Sequence, residues 1–172
     1  LYRLLESLPP HFSGRANMYL VIAEGSEEFS RLKLTLGRGI KQIRDRREMS
    51  EALNRDSQDL YNLIIVGSTF DLASALSLSE ELRVSHPTIG VILLRKKLEP
   101  SIVTQALSSG IRDVVLANDP EGIVLACKKS EDISRRQLQN STRKNEPINL
   151  GKVIVMHSVV VGEPQASLKV TQ

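Results

Sequence analysis

The chain predicts an α/β fold, with a five-stranded parallel sheet covered by helices on both faces. Strand-length apolar runs alternate with helical stretches five times between Met18 and about Ser134. The runs are apolar on both faces and lack the period-two alternation of a half-exposed sheet, as expected when helices sandwich the strands. Helix starters and stoppers fall between the runs, among them Ser26, Gly37 or Gly39, Pro87, Gly110 and Asp119-Pro120.

The elements follow in order. Met18–Ala23 is an apolar strand. Ser26 offers a side-chain oxygen for a helix N-cap, and Glu27 and Glu28 suit the positive end of a helix. Phe29, Leu32 and Leu36 recur at helical spacing. Ile40–Arg44 is a weaker strand, and Arg47–Asn54 a short helix with Met49, Ala52 and Leu53 inward. Leu63–Val66 is a second strong run. Asp71–Arg83 is a helix with Leu72, Ala75, Leu76, Ser79 and Leu82 on one face. Ile89–Leu94 is a strand interrupted only by Gly90, and Pro100–Ser109 a helix opened by proline. Val114–Leu116 is the last strand of the domain. The final helix starts at Asp119-Pro120 and runs through Ile133 toward Gln139.

This gives four segments. Residues 1–17 are an N-terminal extension in which Leu4, Leu5 and Leu8 form an apolar stripe before Pro9-Pro10. Residues 18–136 are the domain, 137–150 a polar linker, and 151–172 a strand-like run with a tail. The chain starts at Leu1 and not at Met, which suits an internal position of a longer protein or a trimmed chain.

Composition narrows the functions. A net charge of +3 and a charged fraction of 25% call for no polyanionic partner. The basic run Arg38, Lys41, Arg44, Arg46 and Arg47 reads as a solvated face. Aromatics are 3% of the chain and Trp is absent, so a stacking platform for single-stranded nucleic acid is not expected. Cys127 is the only cysteine; it forms no internal disulfide, builds no paired-cysteine zinc site, and reads as a small core residue in a reducing compartment. His11, His86 and His157 lie in different elements without metal-ligand spacing. No apolar run reaches membrane-spanning length and no leader is visible. No cofactor and no metal are expected, no nucleic acid, and no direct insertion into a membrane.

In a doubly wound sheet the ligand crevice lies at the carboxyl ends of the strands. The loops there are Glu24–Gly25, Gly67–Thr69, Arg95–Lys97 and Ala117–Asp119. Tyr61–Ser68 reads Tyr-Asn-Leu-Ile-Ile-Val-Gly-Ser, a central strand ending in a glycine, and no acidic residue lies between Asn62 and Phe70.

Five βα units of this spacing resemble the receiver domain of two-component response regulators, with CheY-like, flavodoxin-like topology. Gly110-Ile-Arg-Asp-Val-Val-Leu resembles the receiver phrase entering the fifth strand, and Asn62–Val66 the strand that carries the phosphoryl acceptor. The resemblance implies an acidic pair after the first strand, an acceptor aspartate after the third, a hydroxyl after the fourth and a lysine after the fifth, around Mg²⁺. Carried over, those positions hold Ala23 with Glu24, then Gly67, Arg95 and Ala117. One carboxylate remains, and Gly67 has no side chain to phosphorylate. Ser68 and Thr69 read as caps of the next helix and not as nucleophiles. At this edge Arg95, Lys96 and Lys97 read either as an anion site for a phosphate or a partner's acidic loop or, for Arg95, as a salt-bridge partner of Glu24 that fills the former site.

Asn149-Leu-Gly-Lys-Val-Ile-Val-Met-His-Ser resembles the entry to a MinD/ParA-type P-loop ATPase. Val159-Val-Val-Gly-Glu-Pro follows, with only Gly162; Glu163 and Pro164 oppose a phosphate nest, and Lys169 precedes Val170. This chain therefore reads as non-enzymatic. A degenerate receiver, a linker and a MinD/ParA-like ATPase are the layout of the CpaE/TadZ family, which places the Flp/Tad pilus machinery. That resemblance implies a cytoplasmic, phosphorylation-independent interaction or dimerisation domain, positioned at a cell pole or a membrane through partners. The partners it implies are a second copy of the chain, met through the fourth and fifth helices, and other pilus-assembly or polar-localisation proteins. The surface for them is Ile102, Val103, Leu107, Val124 and Leu125, more apolar positions than one core stripe needs. A working receiver with an unusual acceptor, and a flavoprotein on the same frame, are the readings left beside it.

Overall fold

The structure, a computed structural model, describes residues 18–37, 39–55 and 60–144. The chain divides after Leu138. The description below concerns the residues up to that point, together with the end of the last helix. The expectations placed on 1–17 and on 151–172, with His11 and His157, lie outside the described residues, as does Arg38.

The strands are β1 (Met18–Ile22), β2 (Ile40–Ile43), β3 (Tyr61–Val66), β4 (Gly90–Arg95) and β5 (Asp113–Leu116). All pair in parallel, in the order β2-β1-β3-β4-β5. The helices α1 (Ser26–Leu36), α2 (Arg46–Arg55), α3 (Leu72–Ser85), α4 (Pro100–Ser108) and α5 (Pro120–Lys144) connect or follow them. This is the expected α/β sheet in receiver-like, flavodoxin-like topology.

Alternation within each strand divides the interior into two cores. Leu20 and Ile22 of β1, Ile64 and Val66 of β3, and Val91 and Leu93 of β4 point to one face. There they meet Met49, Ala52 and Leu53 of α2, Ala75, Leu78 and Leu82 of α3, and Ala106 of α4. Val21, Leu63, Ile65, Ile92 and Leu94 point to the other face, against Leu32 of α1 and Ile123, Ala126 and Cys127 of α5. Burying each Val, Leu, Ile or Met side chain among these is worth about 1.5–3 kcal/mol, so β1, β3 and β4 hold the domain together from both sides. Inside α3, Leu78 is fully buried and Leu76 only partly; the helix is rotated slightly from the face expected.

Helix ends differ from expectation in instructive ways. Gly25, and not Ser26, occupies the α1 cap position, and no side chain caps that end. Ser26 is already helical, and its carbonyl accepts from Ser30 Oγ at 2.7 Å. Gly37 closes α1 in the left-handed region, at φ 77°. The cap of α3 is Asp71, whose carboxylate accepts from the Ser74 N–H and hydroxyl, both at 2.9 Å; Ser68 and Thr69 do not cap it. Those two bonds hold the Asp71 carboxyl below its ordinary range. Asp119 opens α5 as expected, accepting from the Gly122 N–H at 3.0 Å. That helix continues through Lys144, so the polar stretch read as a linker from Gln137 is helical over its first part. Between Arg135 and Lys144 there is no Gly or Pro to stop it, and Arg, Gln, Leu and Lys are good helix formers.

Three side chains of the basic run meet neighbours. Arg46 pairs with Glu81 of α3, Arg47 with Glu51, and Lys41 Nζ lies over the Tyr61 ring. Asp45 accepts from the Glu48 N–H at 2.8 Å, and Glu48 reaches back to the Arg44 N–H at 2.8 Å, an arrangement close to a capping box. Among the described residues no helix is long and apolar enough to cross a membrane.

On the α1–α5 face the Tyr19 hydroxyl donates to Glu131 Oε1. Burial, and then that bond, hold the phenol well above its ordinary range. Burial also pushes the Cys127 thiol up from near 9.0 to about 12, with the Glu131 charge adding to the rise. A folded-state pKa above the unfolded one contributes stability that is intact below the unfolded value and lost as pH climbs toward the folded value. The urea midpoint should therefore fall as pH rises from 9.0 to about 12, and less steeply in Cys127→Ala. A thiol reagent at pH near neutral should modify Cys127 no faster than the protein unfolds. Rapid native-state labelling would contradict the burial.

Candidate functional site

Strand order reverses between β1 and β3, since β1 leads to β2 on one side and β3 lies on the other. Crevices in open α/β sheets form at the carboxyl ends of such neighbours. Ile22 pairs with Val66 in the last rung, and the Gly67 N–H donates to the Ile22 carbonyl at 2.8 Å. Ala23 and Gly67 are thus the first residues past the paired rungs. Arg95 ends β4 opposite Leu116 of β5, and the Ala117 N–H donates to the Arg95 carbonyl at 2.9 Å. Ala23, Glu24, Gly67, Arg95 and Ala117 all stand at this one edge.

Their side chains do not converge as the sequence suggested. Ala23 is buried, and its carbonyl accepts from Gln42 Nε2 at 3.0 Å. Glu24 is exposed. Arg95 does not pair with it. Its Nη1 instead donates to the carbonyls of Ser68 at 3.3 Å and Phe70 at 3.1 Å. The expected Arg95–Glu24 salt bridge is therefore replaced by a grip on the β3–α3 loop, because two carbonyls of that loop lie within reach of the guanidinium. Burial lowers the Arg95 pKa, and the Asp71 charge partly offsets this. Nε and Nη2 of Arg95 are buried without hydrogen-bond partners.

The carboxylate that does enter the crevice is Glu28, from the first turn of α1. Its Oε1 accepts from the Ser68 N–H at 3.0 Å. Its Oε2 is buried without a partner, and a Cβ built on Gly67 would meet that oxygen at 2.6 Å and the Ile22 carbonyl at 2.8 Å. The missing side chain at 67 is the space in which the Glu28 carboxylate sits. In the sequence Glu28 reads only as an acid suited to a helix start. No motif marks its role, which depends on the rotation of α1 against β3.

The 67–70 loop is consequently tied at several points. Phe70 N–H donates to the Gly67 carbonyl at 3.2 Å, closing the turn. Glu28 holds the loop from the α1 side and Arg95 from the β4 side. Ser68 has its N–H and its carbonyl both engaged. A cleft of about 290 Å³ opens beside Glu28 between α1 and the β5–α5 loop, lined also by Arg31, Ala117 and Asn118. Among the described residues no three of His, Cys, Asp and Glu gather in a metal-binding group. One carboxylate engaged by a backbone N–H is a poor match for Mg²⁺, which asks for near-octahedral oxygens.

The apolar positions singled out on the last two helices are spread over two faces. Val103 packs against the α2–α4 core and Ile102 is half-buried. Leu107 is 50% exposed on α4, and Leu125 is 55% exposed on α5. Val124 and Leu125 line a groove of about 420 Å³ with Thr35 of α1, Pro120 and Lys128. Leu34 of α1, 85% exposed, lies beside the neighbouring cleft. It was not marked in the sequence, since the Leu32 and Leu36 stripe points inward and Leu34 falls between them.

No protein-family model and no curated protein sequence matches the chain. Solved structures do. A protein described as pilus assembly-related from Burkholderia pseudomallei shares 20% identity over 73% of this chain and 96% of its own, with a TM-score of 0.58. A pilus assembly protein, cpaE, from Burkholderia thailandensis shares 22% over 68% of this chain and 99% of its own, at 0.55. The signal receiver domain of an HD domain-containing protein from Pseudomonas fluorescens shares 16% over 77% and 98%, at 0.64. The chain has the receiver-domain fold.

Replacing Gly67 by Asp should destabilise the domain by about 1–3 kcal/mol, the usual range for overpacking. Adding Glu28→Ala should recover only part of this, because the Ile22 carbonyl stays in place. Urea denaturation of the single and double variants measures both effects. A neutral Gly67→Asp would mean that the carboxylate and carbonyl do not crowd this position.

Proposed function

We propose that this receiver-like domain is a protein-interaction and dimerisation module that works without phosphorylation, in a bacterial Flp/Tad-type pilus-assembly or localisation protein. The observation that carries this is the Glu28 carboxylate seated against Gly67. In the receiver comparison Gly67 stands where the phosphoryl acceptor would be, Ala23 and Glu24 where the metal-binding acids would be, and Arg95 and Ala117 where the hydroxyl and lysine would be. The site thus lacks an acceptor, and a carboxylate from elsewhere in the chain takes up its space. Glu28 and Arg95 hold the adjoining loop in one arrangement without a phosphoryl group. The two pilus-assembly proteins among the structural neighbours support the pilus-assembly setting; in this reading the module is cytoplasmic and is placed at a pole or membrane by its partners.

In this reading contacts pass through the outer surfaces of α4 and α5. Leu107 on α4 and Leu125 near the start of α5 are exposed apolar groups there, with Ile102, Val103 and Val124 beneath or beside them; Ile133 and Leu138 are exposed farther along α5. Burying both leucines against a second copy or a pilus-assembly partner would remove apolar area that otherwise faces water.

Two measurements test the proposal. Incubation with acetyl phosphate and Mg²⁺, followed by intact-mass determination, should leave the mass unchanged; a gain of one phosphoryl group would overturn the phosphorylation-independent reading. Light scattering at high protein concentration should show a dimer that Leu125→Glu converts to monomer without a change in circular dichroism. A strict monomer in the parent chain would count against self-association.

A further inference from the structure

At the opposite edge of the sheet, near the start of β4, two arginines line one pocket without a carboxylate between them. Arg112 precedes β5, and its Nη1 donates to the Ser130 carbonyl at 2.6 Å and to the hydroxyls of Ser130 and Ser134, each at 2.8 Å. Its Nη2 reaches the Thr88 carbonyl at 3.4 Å and Gln137 Oε1 at 3.2 Å. Every one of these acceptors is neutral. Burial lowers the Arg112 pKa, which is the sign of a cation short of compensating charge.

Two glycines make the arrangement possible. A Cβ on Gly90 would meet Ser130 Oγ at 2.1 Å and Arg112 Nη1 at 2.6 Å. Gly110 adopts φ 96°, and a Cβ there would meet Arg83 Cδ at 3.2 Å. Gly90 therefore makes room for the Arg112 head, and Gly110 for the stem of Arg83. Arg83, Arg112 and Ser79 face a pocket of about 260 Å³ whose walls include Leu82, Ile89 and Ile133. Ser79 is 2% exposed, and its hydroxyl has no hydrogen-bond partner. An unpaired hydroxyl this deeply buried is unusual and calls for a ligand or a bound polar group.

We propose that this pocket binds a carboxylate carried on a short apolar stem, with the acid group near Arg83, Arg112 and the Ser79 hydroxyl and the stem against Leu82, Ile89 and Ile133. Its volume lies below the range of drug-sized ligand sites, which sets the ligand at a few carbons. A free small organic acid and the C-terminal carboxylate of a peptide ending in an apolar residue present the same chemistry. The pocket is independent of the crevice at the other edge, so it stands or falls separately from the role given to Gly67.

The test uses the whole chain, with butyrate as the small acid and a tetrapeptide ending in Leu as the peptide. Thermal melting at constant ionic strength, with chloride as the reference salt, should show a saturable rise with butyrate. Amide NMR shifts should centre on Gly110, Ile111 and Arg112. Arg83→Ala, at an exposed position, should weaken binding at least tenfold, and Ser79→Ala should weaken it less. Binding of the peptide but not of its C-terminal amide would assign a protein terminus as the source; binding of butyrate alone would assign a free acid. No saturable effect of either probe, or equal effects in the parent chain and Arg83→Ala, would overturn the proposal. A response to inorganic phosphate but to neither carboxylate would overturn it as well.

Discussion

Burial of the central strands from both sides is the constraint on which the rest of this molecule depends. The central positions of β1, β3 and β4 are buried on both faces, so a charged side chain there would suffer heavy desolvation, and Arg95 stands only at the end of its strand. Polar chemistry is forced to the two ends of the sheet. The receiver-like crevice occupies one end and the paired-arginine pocket the other. Each end is then shaped by the long side chains that reach it from helices, strand ends and connecting segments, and in both cases a glycine makes the reach possible.

At the crevice this produces a substitution in space, not in sequence. Position 67 contributes no side chain, and a carboxylate arrives from the first turn of α1 to occupy the gap. The Ser68 N–H receives it, and Arg95 completes the hold from across β4. Together these contacts hold the β3–α3 loop from both sides.

The sheet was legible because its signal is strong and repeated. Continuous apolar runs at β1, β3 and β4, separated by helical spacing, leave little choice of architecture. Asp119-Pro120 marked the start of α5 for a local chemical reason. Ser26 misled because a capping residue type needs only a one-residue shift to become part of the helix. The crevice was half legible. The absence of an acid in 62–70 could be read directly, whereas the reach of Glu28 and the turn of Arg95 toward Ser68 and Phe70 are tertiary facts with no local mark. Arg112 likewise read as part of a strand phrase, and the reason for Gly90 inside β4 appears only when the guanidinium is seen in its place.

Both clamps on the β3–α3 loop end on main-chain atoms. Glu28 takes an N–H and Arg95 takes two carbonyls, groups that every residue except proline supplies in full. The side chains of Ser68 and Thr69 are therefore spare as far as the loop's shape is concerned. They can be altered while the frame stays put, a division of labour in which three positions keep the geometry and two are left open to change.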